Sequence, residues 1–254
     1  TFTANTCNSF GGTSPYEYRG GTDSISTVLP GNGNPGDNFI KNNMPFSNIG
    51  GGSYNKLNTS GPGHSNIAGG YDNTIGGSNI KVPEGSSGYD FIGGGYQNRI
   101  RGLDTYNQGI GAGELNWILA SRSSFICGGY ANIITGSSKN FIGGGQYNLI
   151  QVPGSGSANE SSIVGGGYNE IYSKYSVIAG GESNQISSMG GGNTSYAGIF
   201  NGSGNTIGRN AEYAAIIGSR GINYANSPET TYMKGLDANT NGYNGIDRPL
   251  KYHG

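Results

Sequence analysis

Isoleucine recurs along the middle of the chain with the same polar and small residues following it. Taking the isoleucine before each glycine cluster as position zero, ten copies align: Ile49, Ile67, Ile92, Ile110, Ile126, Ile142, Ile163, Ile178, Ile199 and Ile217. Six residues later every copy has an asparagine: Asn55, Asn73, Asn98, Asn116, Asn132, Asn148, Asn169, Asn184, Asn205 and Asn223. At position eight an apolar residue returns, as Leu57, Ile75, Ile100, Ile118, Ile134, Ile150, Ile171, Ile186 and Ile207, with Ala225 in the tenth copy. Position three is glycine in nine of the ten copies, Arg220 being the exception. "FIGGGYQNRI" at 91–100 and "FIGGGQYNLI" at 141–150 show the unit in full.

The shortest separations between anchors are 15 and 16 residues. That is too short for a repeated helix pair, and it suits two short strands and two turns, one coil of a solenoid. The pattern predicts an all-β chain, a parallel β-solenoid or β-roll of about ten short coils, with strands of successive coils about 4.8 Å apart. Strand side chains alternate faces, so positions zero, six and eight point the same way, into the coil. β-Branched isoleucines stack well on a pleated surface. A buried asparagine needs hydrogen-bond partners, and amides stacked from coil to coil supply them. The glycines turn the corner between strands, where a positive φ is cheap for glycine alone.

The residue before the anchor faces the opposite way. Five of the ten are large and apolar: Phe91, Phe125, Phe141, Val177 and Ile216. A strand apolar on both faces is buried on both faces, and one thin coil offers no second cover. The economical cover is another copy of the chain, so a homo-oligomer joined through these residues is expected.

Composition narrows the function classes. Glycine contributes 51 of 254 residues, about three times its usual share. Charged residues are 11 % and the net charge is −1, which leaves no basic face for nucleic acid. Disorder is disfavoured by the low net charge and by 18 tyrosines. Cys7 and Cys127 are too few for a disulfide framework or a zinc site. No apolar run approaches the roughly 18 residues that span a bilayer, so membrane insertion is not expected. The chain begins at Thr1 rather than Met, as a processed protein or a piece of a longer one would. Three regions follow: 1–47 as a cap or a junction to an upstream shaft, 48–225 as the repeat domain, and 226–254 as an extended C-terminal segment.

"SSFICGGYANII" (123–134) and "YSVIAGGESNQI" (175–186) fit a pattern SxFIGGGxxNxI. This pattern resembles the head repeats of trimeric autotransporter adhesins, which are parallel β-rolls joined as trimers. It is more similar to the glycine-and-asparagine repeats of phage and large-virus fibres, which often precede a self-cleaving chaperone domain of the endosialidase type. The tail "TYMKGLDANTNGYNGIDRPLKYHG" (231–254) is similar to the segment joining such repeats to that chaperone. Adhesin heads favour alanine where this chain has Asn and Ile, which leans the resemblance toward a virion fibre. It implies a homotrimer on a virion surface or otherwise extracellular, contacting other virion proteins at its N-terminal end and attaching to a host surface polysaccharide. The alternatives are a bacterial adhesin head and a purely structural virion or filament component.

Binding residues are expected where the repeats vary. Insertions at 77–90, 151–162 and 187–198 all follow the second strand of a coil and should emerge along one edge. Tyr54, Tyr71, Tyr96, Tyr130, Tyr147 and Tyr168 lie just past the glycine corner, and Trp117 has outward parity. These rings suit sugars; equally, they cover glycine corners or pack between subunits. No catalytic set stands out and no cofactor is called for. His64 and His253 lack companions, and nothing pairs Asp90, Glu160 or Glu170 as the two carboxylates of a glycosidase. The repeats lack the Gly-Asp pattern of calcium-binding solenoids and never form a phosphate loop.

Overall fold

In a computed structural model of the chain, the residues described are 27–28, 38–40, 46–58, 64–76, 88–102, 106–136, 138–151, 160–187, 194–208, 211–221, 223–224 and 232–234. Their regular elements are all strands, of two to six residues. Every strand pairing is parallel, and the strands alternate between two sheets, one of 12 strands and one of 11. The molecule is therefore a parallel β-solenoid, each coil giving one strand to each sheet. In the coil holding "FIGGGYQNRI", Phe91–Ile92 belongs to the first sheet and Arg99–Arg101 to the second. The sheets reach back beyond the recognised repeats: Thr27–Val28 pairs with Asn48–Ile49, and Phe39–Ile40 with Lys56–Leu57.

The core is two columns of aliphatic side chains, one from each sheet, closed to solvent from Ile49 and Leu57 to Ile199 and Ile207. Registered pairs such as Ile126↔Ile142 and Ile134↔Ile150 stack like on like. Beside them runs a ladder of buried asparagines: Asn55, Asn73, Asn98, Asn116, Asn132, Asn148, Asn169, Asn184 and Asn205. From Asn55 to Asn184, each Oδ1 accepts the backbone N–H of the asparagine in the next coil, at 3.0–3.1 Å. Over the same span each Nδ2 donates to the carbonyl four residues back and to the position-three glycine of the next coil; for Asn132 these are Gly128 and Gly145, both at 3.0 Å. An amide nitrogen has two hydrogens, so these carbonyls take them, and the 3.0–3.2 Å approach to the preceding Oδ1 is a shared contact. The ladder starts one coil earlier than the repeats suggest, since Asn38 Oδ1 accepts the N–H of Asn55.

Position three needs glycine on two counts. Gly129 has φ +94°, and a Cβ there would lie 2.1 Å from the carbonyl oxygen of Gly145 in the next coil. Gly145 and Gly181 repeat the arrangement, with 1.9 Å to Gly166 and 2.0 Å to Gly202. The turn also uses a second left-handed residue, at position five, that need not be glycine: Tyr54, Asp72, Gln97, Leu115, Ala131, Tyr147, Tyr168 and Ser183 all have φ of 51–59°. Each from Asp72 onward donates its N–H to the preceding coil, as Gln97 does to Tyr71 at 2.9 Å.

The last copy corrects the alignment by one residue. Ile216, expected on the outer face, pairs with Ile199 and is 1 % exposed, inside the core. Ile217, expected inside, pairs with Phe200 and is half-buried. Asn223 registers with Thr206, one place beyond the ladder. The reason lies in the opposite corner, where a left-handed residue stands three places before each core isoleucine. Tyr213, with φ 56°, sets that count for Ile216. Ala225 lies outside the described residues.

Candidate functional site

Each coil has two corners, and both display aromatic rings. At the glycine corner, tyrosines at positions four and five of successive coils meet. Tyr54, Tyr71 and Tyr96 form one run, with centroids 5.2 and 5.5 Å apart. Tyr130, Tyr147 and Tyr168 form a second, at 5.2 and 4.9 Å. Glu114 and Leu115 occupy the coil between the runs. All six tyrosines are exposed.

The opposite corner carries two further runs that the repeat pattern did not reveal. Phe46, His64 and Tyr89 stack at 4.9 and 5.0 Å, and Tyr175, Tyr196 and Tyr213 at 5.0 Å each. All six occupy the left-handed position three residues before the core isoleucine. Their shared offset was the available signal, but the same position also holds Asn107, Ser123, Lys139 and Glu160. There Lys139 Nζ donates to Glu160 Oε1 at 2.8 Å, and this bond raises the lysine pKa.

Stacking restricts what these rings can do. Most neighbouring rings are within 17° of parallel, so each uses its faces on the next. His64 and Tyr196, each between two nearly parallel rings, have both faces covered, whereas Tyr71 meets Tyr54 at 60°. Over the parallel stacks a sugar would meet ring edges rather than stacking platforms. Tyr130 and Tyr147 break the pattern with an interplanar angle of 79°, and a side-chain hydrogen bond between them raises the Tyr147 pKa.

On the outer face of the first sheet, Phe91, Phe125 and Phe141 are 40, 39 and 37 % exposed, and Val177 is half-buried. Phe125 lies across its neighbour Gly109, where a Cβ would come within 2.3 Å of the ring. The twenty outward positions of this face between Asn48 and Ile217 hold no charged residue. The exposed Cys127 is among them. On the second sheet Trp117 is half-buried, registered between Arg99 and Ile133, with the Arg99 guanidinium 5.6 Å from its ring centre. Tyr172 lies on the same outer face, and burial, aided by Glu170, pushes its pKa up to about 12.

The carboxylates stay apart. Asp90 is buried at the corner before Phe91, where its Oδ1 accepts the Gln108 N–H at 3.1 Å. Glu160 is paired with Lys139 on the opposite corner. Glu170, on the second sheet, accepts from Gln185 Nε2 at 2.8 Å. His64 is held between Phe46 and Tyr89, and His253 lies outside the described residues. Among the described residues, no three His, Cys, Asp or Glu side chains gather as a metal site would require. Residues 77–87, 152–159 and 188–193 of the three long insertions also lie outside the described residues. The strands bounding them show that all three leave the second sheet and re-enter at the corner opposite the glycines. Compared with known proteins, the chain matches no family model and no curated protein.

Proposed function

We propose that the chain is a structural segment of an extracellular fibre, of the virion or phage type that its repeat resembles, and that it acts as a homotrimer presenting its insertion-bearing corners to a host surface glycan. One observation carries the oligomer: between Asn48 and Ile217 the outward positions of the first sheet hold no charged residue, while Phe91, Phe125, Phe141 and Phe200 stand exposed among them. The second sheet's outer face carries Lys56, Arg99, Arg101 and Glu170, as a solvated face does. An uncharged, largely apolar strip of this kind marks an interaction surface, and a fibre built from identical parallel coils offers its own copy as the matching partner.

Native mass measurement tests the oligomer, with three chain masses expected and a stable folded monomer overturning it. Phe125→Asp and Phe141→Asp together should dissociate the assembly and leave the coil folded. Cys127 gives a finer test. With Cys7 replaced by serine, a short thiol-specific bifunctional reagent should join copies through Cys127. Adhesion of the folded oligomer to a glycan array tests the attachment. A purely structural role is the second reading, favoured by the internal use of the stacked ring faces; absence of glycan binding would select it.

A further inference from the structure

Arg99 and Arg101 flank the core residue Ile100, so both side chains stand on the outer face of the second sheet. Trp117 is registered beside Arg99 and Leu119 beside Arg101. The positive charge here is only partly met. Asp72 approaches Arg99 Nη2 at 3.7 Å and also accepts from Gln97 Nε2 at 3.1 Å. Among the described residues no carboxylate pairs with Arg101, whose pKa is lowered first by burial and then by the charge of Arg99, with Asp72 opposing. Lys56 lies in the same outward column as Arg99, two strands away, and adds charge of the same sign.

Three buried donors in this patch lack an acceptor: Arg99 Nε, Arg101 Nε and Trp117 Nε1. A buried donor left unmatched costs about 1–3 kcal/mol, more when charged, and each such group calls for an explanation, an ion or a water among them. All three are donors, and the patch has two guanidiniums against one shared carboxylate. A group with several negatively charged oxygens answers both deficits, and guanidinium forks match carboxylate and sulfate geometry.

We propose that Arg99, Arg101 and Trp117 form a binding site for the anionic group, carboxylate or sulfate, of an acidic saccharide. The saccharide rests on the attachment reading above; the anion rests on the three donors and the charge imbalance alone. The indole is held between Arg99 and Ile133, so it contributes its N–H at the anion rather than a face to the sugar ring.

Trp117 is the chain's single tryptophan, so its fluorescence reports this patch directly. The full chain is titrated at constant ionic strength with digalacturonate, with neutral digalactose and with sodium sulfate. Digalacturonate should change the emission saturably, sulfate should do so more weakly, and digalactose should not. Arg101→Gln should weaken digalacturonate binding roughly tenfold or more, the worth of one charge-assisted hydrogen bond. Leu119→Glu, which puts a carboxylate beside Arg101, should abolish binding in a chain that melts no lower than the parent. Equal responses to the acidic and neutral disaccharides, or unchanged binding in Arg101→Gln and Leu119→Glu, would overturn the site. Sulfate binding as tightly as digalacturonate would mark an adventitious ion only and overturn the saccharide. Host adhesion that survives Arg101→Gln keeps the attachment reading and removes this site. Arg101-dependent binding of digalacturonate without host adhesion does the reverse.

Discussion

At the glycine corner a left-handed residue is followed by asparagine in every coil from Asn55 to Asn205. At the opposite corner the same turn is followed by Ser47, Ser65, Asp90, Gln108, Ser124, Asn140, Ser161, Ser176, Ala197 and Ala214. Both columns are buried. In the second, a side-chain oxygen usually accepts the backbone N–H of the next coil, as Ser124 does for Asn140 at 3.2 Å and Asn140 for Ser161 at 2.9 Å. A serine there has one hydroxyl proton for one carbonyl, which Ser124 gives to Arg122 of its own corner at 3.1 Å, whereas an asparagine at the glycine corner donates to its own corner and to the next at once. Asparagine alone supplies an acceptor plus two donors at that reach, so the glycine corner tolerates one residue and the other tolerates several. The three long insertions all sit at the tolerant corner. The strict corner sets the coil-to-coil spacing, and the tolerant corner is free to vary.

The largest effect should come from blocking the strict corner itself. Gly129→Ala combines a left-handed backbone with a Cβ 2.1 Å from the next coil's carbonyl. It should destabilise by roughly 3 kcal/mol or more, read as a large fall in Tm. A loss under about 1 kcal/mol would show that the coils separate easily and that the corner is not strict.

Asn132→Ala comes next. It removes donors from Gly128 and Gly145 and the acceptor of the Asn148 N–H. The Gly128 carbonyl and the Asn148 N–H are left unmatched, while the Gly145 carbonyl keeps the Tyr130 N–H, and about 2–4 kcal/mol should be lost in denaturant unfolding. Ser124→Ala, the matched change in the other column, removes the acceptor of the Asn140 N–H and the hydroxyl's contacts with Arg122 and Ser121, and should cost about 1–2 kcal/mol. Equal costs would erase the distinction between the columns.

The smallest effect should follow from lengthening the tolerant corner. Doubling the loop between Gln151 and Glu160 with Gly and Ser should cost roughly 0.6 kcal/mol, the closure entropy of a longer loop. The same residues placed between Gly129 and Tyr130 should prevent folding, since they interrupt the ladder on both sides. Circular dichroism of the two variants separates these outcomes.

How far the sequence could be read follows from the same contrast. Ile92, Asn98 and Ile100 were legible because their positions admit almost no substitution. The left-handed residue at position five was not, because Tyr147 and Tyr168 meet the same backbone angle as Gln97 and Leu115 do. The angle is the same whichever side chain fills the place, so no residue type marks it. Asn38 went unrecognised because its coil lacks the glycine cluster that marks the others.

The sequence by itself determined the coil: its period, the inward isoleucines and asparagines, the glycine corner and the apolar outer column of Phe91, Phe125 and Phe141. Each of these needs one kind of side chain at one spacing, and repetition makes such a need visible. The tertiary structure decided the rest. It counted the last copy from Tyr213 and so put Ile216 rather than Ile217 in the core. It joined rings from separate coils into four stacks. It also set Arg99, Arg101 and Trp117 side by side with three donors unmet. These features depend on which residues become neighbours across coils, and insertions of unequal length hide that neighbourhood until the coils are stacked in register.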